Sequence, residues 1–351
     1  MKNLYLLTGI LSASISAAVA QTPTTSSFPS SFPSSFPTTS TDHGGSGGGV
    51  GFRTSSFTAL HPNAPGNRPD SRADANNNIG IFQAVDILAD APTSAGVRST
   101  GKRMAPPAPG PVFSLYSEYN YIDSDDSRAL AGDTKTHSVT IGGTALFHSD
   151  TLLGLNYSYS NSAAVRNALG TSSQSDANFV SLVAAHSFWR FLSIGVAGGY
   201  GHTDLDINAT NGGGKLRGYT DTWSVSPFLS AAYKCGPLVS SLTVMYQYED
   251  DQTRAGGQKI NDDTGKFNVA LRETYSITER LKLQATAKYT QVVMGLNNTP
   301  GLPEGRHWAT FGGRLSYNVS KALEVYAGYT YDAFNVFLKD HTATGGVRYT
   351  F

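Results

Sequence analysis

The chain has 351 residues and balances 26 Lys and Arg against 26 Asp and Glu, so it carries no formal net charge at pH 7. That neutrality argues against nucleic acid as a partner, because phosphate recognition rests on a basic excess. One cysteine, Cys235, excludes an internal disulfide and a cysteine-built metal centre, leaving stability to strand pairing and packing.

Residues 1–20 read as a secretory signal peptide. Lys2 supplies the positive start, Leu4 to Val19 an apolar run diluted by serine, and Ala18-Val19-Ala20 a small-residue cleavage site before Gln21. No cysteine follows that site, which argues against a lipid anchor, and no later stretch approaches the ~20 apolar residues of a spanning helix. Any membrane-embedded part must therefore cross as strands. Residues 21–75 are dominated by Ser, Thr, Pro and Gly, with SSFP at 26–29, 30–33 and 34–37 and GGSGGGVG at 44–51. Such a composition buries too little apolar surface to offset backbone entropy, so the segment is expected to be disordered, as a spacer or a short passenger.

Residues 76–111 hold a short amphipathic helix and a linker. In NNNIGIFQAVDILAD (76–90), Ile81, Val85 and Leu88 share one face, and Gln83, Asp86 and Asp90 the other, with Asn77 or Asn78 as the N-cap. Asp86 and Asp90 lie toward the C-terminal end, where the helix dipole disfavours negative charge, so their partners must lie elsewhere. Residues 91–111, rich in Ala, Pro and Gly, form the linker.

From residue 112 to 351 period-two alternation takes over. Val139, Ile141, Ala145 and Phe147, or Leu153, Leu155, Tyr157 and Tyr159, give an apolar face against a polar one of Thr140, Thr144, Asn156 and Ser158. The pattern recurs about twelve times, each run near the ~9–11 residues that cross a bilayer at a tilt. Connections alternate between long (122–134, 161–174, 203–217, 249–263, 292–306, 333–341) and short (148–151, 188–191, 235–236, 276–280, 319–322). That rhythm is expected of an even-stranded barrel with long external loops and short periplasmic turns. Tyrosines such as Tyr119, Tyr200, Tyr233, Tyr275 and Tyr317 fall near strand ends, where interfacial girdles lie. The predicted fold is all-β: a transmembrane, antiparallel, up-and-down β-barrel with lipid outside and water within, preceded by a short helix and a disordered N-terminal segment.

The polar face of the last five strands carries Lys266, Arg272, Lys282, Lys288, Arg314 and Arg348 against Glu118 and Glu324, so that part of the lumen is expected to be basic. It could attract anionic solutes, hold Asp86 and Asp90 of the helix as an acidic plug, or simply be solvated. The last ten residues, TATGGVRYTF, place Tyr349 and Phe351 on one face of a strand whose edge needs a partner, and pairing with the strand near Phe113 would close the sheet.

The terminal pattern Thr344-x-Gly346-x-x-Tyr349-x-Phe351 resembles the signal by which bacterial outer-membrane barrels reach their assembly machinery. Over residues 76–351 the order of helix, strands and terminal motif is similar to the autotransporter family, whose translocator barrel follows a passenger and carries a helix through its pore. The resemblance implies residence in the outer membrane, with its lipid and the barrel-assembly machinery as partners. The chain departs from that family in two ways. Its candidate passenger, about 22–75, is short and lacks a β-helix repeat, and some twenty residues separate helix from first strand.

Two functions follow: a translocator that anchors, displays or exports its N-terminal segment, and a porin-like channel with an anion-favouring lumen. A soluble β-sandwich adhesin is a third reading. Catalysis finds no support, because no serine sits in a nucleophile elbow and His137, His148, His186, His202, His307 and His341 are scattered near strand ends. Asp204 and Asp206 beside His202, and Asp340 beside His341, read as rim residues. No catalytic, cofactor-binding or metal-binding residue is assigned.

Overall fold

Alternating apolar and polar side chains leave a strand with one face that water disfavours, and here that face points outward. Ile141 is 57 % exposed and Leu182 62 %, within a continuous outer band that also includes Leu155, Ile194, Leu229 and Leu315. A band of this extent is accommodated by lipid. The computed structural model describes residues 73–90 and 110–351, apart from the connections at 127–132, 149, 167–170, 189–190, 210–214, 295–306 and 334–337. The expected signal peptide, all but the last three residues of the low-complexity segment, and linker residues 91–109 lie outside the described residues.

Helix α1 spans Ala73–Asp90. The strands are β1 Val112–Asp126, β2 Asp133–Phe147, β3 Thr151–Arg166, β4 Thr171–Phe188, β5 Leu192–Ala209, β6 Lys215–Cys235, β7 Leu238–Ala255, β8 Gln258–Ser276, β9 Leu281–Met294, β10 His307–Asn318, β11 Leu323–Ala333 and β12 Leu338–Thr350. Each pairs antiparallel with its chain neighbours, and β1 pairs with β12 to close the barrel. Closure is sealed where Phe113 N donates to Phe351 O at 3.0 Å and Phe351 N to Phe113 O at 2.9 Å. The two rings stack with centroids 5.9 Å apart.

Three expectations change. The strands run 11 to 21 residues rather than the bare length of a bilayer crossing, and most of the long connections are strand. Residues 249–263, expected as a loop, continue the β7–β8 ladder to a two-residue turn at Gly256-Gly257, with φ of 57° and 80°. The reason is that EDDQTRA (249–255) lies beyond the lipid band, so neither face need be apolar and the ladder persists without alternation. α1 begins at Ala73, putting Asn77 and Asn78 inside the helix instead of at its cap; Ala73 and Ala75 favour that extension.

The third change concerns the lumen, which is not uniformly polar. Ile81, Ala84, Val85 and Leu88 of α1 form a buried cluster with inward-facing Leu146, Leu152, Val183, Ala185, Ala197, Phe228 and Met245. The helix thus lies inside the barrel against β2–β6. Sequence gave a sign of this wall in the segments apolar on both faces, such as Leu152-Leu153 and Phe228-Leu229, which lipid contact alone does not require.

Candidate functional site

The luminal helix meets two chemically different walls. Its apolar side docks on β2–β6 as above. Its other side faces guanidinium groups, and Arg272 is the centre of that contact. Arg272 Nη2 donates to Asp86 Oδ2 at 2.9 Å and to Gln284 Oε1 at 2.7 Å, while Nη1 donates to the Phe82 carbonyl at 3.2 Å. The same guanidinium lies over the Phe82 ring, 4.7 Å from its centroid. A cation this buried requires such a partner, since an unpaired one would lose its hydration without return. Arg348 donates to the Gln83 side chain and shares Glu324 with Arg314, at 3.5 and 3.6 Å.

Behind these arginines Arg314 stacks on Tyr326 at 3.5 Å from the ring centroid. Tyr326 Oη donates to Glu118 Oε2 at 2.9 Å, Asn120 donates to Glu118 Oε1 at 3.2 Å, and Thr344 Oγ1 donates to Asn120 Oδ1 at 2.6 Å. The network ties β11, β12 and β1 together across the closing seam. The terminal motif lies along that seam: Thr344 inward on Asn120, Gly346 beneath Tyr326, Tyr349 opposite Leu115, and Phe351 on Phe113. Tyr116 on β1 reaches across to bond Asn156 on β3.

Not every residue of the predicted basic wall joins the helix. Lys282 and Lys288 face inward on β9 and are half-buried. Asp90 is the last residue of α1, and its side chain lies outside the described part. Lys266 is engaged elsewhere, 3.3 Å from Glu249, with both side chains 1 % exposed and Gln247 donating to Glu249 at 2.7 Å. Parity along β8 pointed Lys266 inward but could not reveal Glu249, which reads as a loop residue in the sequence. Lys266→Met should cost about 3–5 kcal/mol of barrel stability, because it takes the countercharge from a buried carboxylate, and adding Glu249→Leu should recover most of that loss in urea unfolding.

Beyond the lipid band on β7, Asp251 accepts a hydrogen bond from Thr222, yet burial pushes its carboxyl from 3.8 up to about 6. Through that window the folded protein holds a proton that the unfolded chain has released, so stability falls as pH rises, by about 3 kcal/mol in all. Asp251→Asn should flatten the dependence of the unfolding midpoint between about pH 4 and about pH 6.

The histidines among the described residues remain apart from this interior. His202 points outward, Nδ1 2.7 Å from Asp221 and Nε2 3.6 Å from Asp204. His341 also points outward and bonds the Tyr329 hydroxyl, whereas its neighbour Asp340 faces the lumen, so strand alternation separates the pair.

A closed antiparallel barrel with a lipid-facing outer band and a helix held in its lumen defines an integral outer-membrane β-barrel with an internal helix. The autotransporter β-domain family matches residues 113–330. The chain belongs to that family, and it is an outer-membrane, autotransporter-like barrel. It is similar in fold to the translocator domain of the autotransporter NalP from Neisseria meningitidis, at 14 % identity and a TM-score of 0.58, over 79 % of this chain and 97 % of that one. It is also similar to the β domain of the Bordetella autotransporter BrkA, at 15 % identity and a TM-score of 0.51, over 68 % of this chain and all (100 %) of that one. No curated protein sequence matches the chain.

Proposed function

We propose that the barrel anchors the protein in the outer membrane and translocates residues 21–75 for display at the cell surface. The observation that carries this reading is the helix itself: α1 is gripped within the lumen by an apolar wall and by Arg272 on Asp86, and the 21–75 segment runs into its N-terminal end, sharing residues 73–75 with it. A chain held in the pore at that point is placed to continue through it. On this reading the basic wall serves to hold α1, and the lumen needs no reacting group. Thr344, Gly346, Tyr349 and Phe351 then have two roles, closing the seam and presenting the terminal strand to the barrel-assembly machinery.

An epitope inserted at Ser30 tests the proposal. On intact cells it should be recognised by antibody and removed by added protease, while the barrel keeps its heat-modifiable migration. An epitope protected until the outer membrane is permeabilised would place the segment in the periplasm and overturn display.

A further inference from the structure

The outer surface carries a feature that export does not use. On β5, β6 and β7 the outward residues just past the lipid band form a grid in which rings alternate with hydrogen-bonding groups. Tyr200 stands opposite Trp223, His202 opposite Asp221, and Tyr219 opposite Arg254. Tyr200 and Trp223 have centroids 4.8 Å apart, His202 and Tyr219 5.5 Å, and the Arg254 guanidinium lies 5.8 Å from the centre of Tyr219. Asp221 accepts from Tyr200 Oη at 2.8 Å and bonds His202 at 2.7 Å, which fixes two rings against one carboxylate.

Strands set ~4.8 Å apart, with outward residues repeating every ~6.8 Å, make this patch a platform about two sugar rings across. Trp223 is 58 % exposed upon it. Aromatic faces stack on the C–H faces of sugars, and Asp221, with Asp204 opposite Tyr219 and Asp250 opposite Trp223, offers carboxylates that accept from sugar hydroxyls while Arg254 donates to them. Val196, Val225 and Leu229 continue the same outer face into the lipid band. A molecule on the platform therefore has its acyl part beside those residues.

We propose that the β5–β7 platform binds a glycolipid of the outer leaflet through its saccharide headgroup, with Trp223 and Tyr219 stacking on the sugars. The proposal does not depend on export of residues 21–75.

The refolded full chain, its closure checked by heat-modifiable migration, would be equilibrated with lipopolysaccharide micelles or with phosphatidylglycerol micelles, and retained lipid measured after gel filtration. Lipopolysaccharide should be retained preferentially, and Trp223→Ala with Tyr219→Ala should reduce retention by about fivefold or more. Leu315→Ala, on the lipid face away from the platform, should leave it unchanged. Equal retention of the two lipids, or unchanged retention in the double variant, would reduce the patch to an ordinary aromatic girdle and overturn the proposal.

Discussion

Replacing Val85 with aspartate should release α1 from the lumen without opening the barrel. Val85 is 2 % exposed among Ile81, Ala84, Leu146, Val183 and Phe228, where a carboxylate has no partner. Burying it unpaired costs several kcal/mol, on the order of a thousandfold in the ratio of docked to released helix. The strand ladder is complete from β1 round to β12 without α1, so heat-modifiable migration should persist. Single-channel conductance in planar bilayers should rise, and added protease should cut within 73–90. Unchanged conductance would mean that the apolar wall does not hold the helix.

The polar side of the helix allows a sharper version. Asp86→Arg sets a guanidinium against Arg272, itself close enough to Arg314 and Arg348 to feel their charge, and should release α1 much as Val85→Asp does. Adding Arg272→Asp reverses the pair and should restore the low-conductance state. Restoration by a charge swap distinguishes a specific contact from general loss of folding, because two independent lesions would compound.

These effects mark how far the sequence could be read. Strand count and the direction of the outer face were visible in runs such as Leu153, Leu155, Tyr157, because lipid imposes alternation on every residue that it touches. Glu249, Asp250 and Asp251 lie past that constraint. Their ladder is held by backbone hydrogen bonds that composition does not record, so they read as loop. The inner wall was harder to read for a different reason: Leu152, Val183, Phe228 and Met245 occupy positions that the polar majority marked as wet, so runs apolar on both faces hinted at it and the helix accounts for their apolarity. Asp86 needed a cation on dipole grounds alone. Selecting Arg272 among six inward basic residues required the three-dimensional register, which also sent Lys266 to Glu249 instead.

Register also predicts opposite outcomes for two adjacent glycines near the closing seam. Gly346 faces inward beneath Tyr326, and a Cβ there would lie 2.5 Å from the ring and 2.7 Å from the Ser117 carbonyl oxygen. The carbonyl belongs to β1, paired with β12, so it cannot withdraw without disturbing the seam. Gly346→Val should therefore cost about 1–3 kcal/mol from overpacking, and more if the Tyr326–Glu118 bond breaks. Gly345 faces outward with nothing within 4 Å of a Cβ, and Gly345→Val should be neutral or slightly stabilising, since valine suits a strand facing lipid. Refolding into detergent without assembly factors, scored by heat-modifiable migration and urea midpoint, isolates this packing effect from recognition of the terminal motif. Tyr326→Ala on the Gly346→Val background should restore only part of the stability, because the clash with Ser117 survives removal of the ring. Full restoration would place the whole cost on the aromatic contact, and equal loss at Gly345 and Gly346 would contradict the register of β12 against β1.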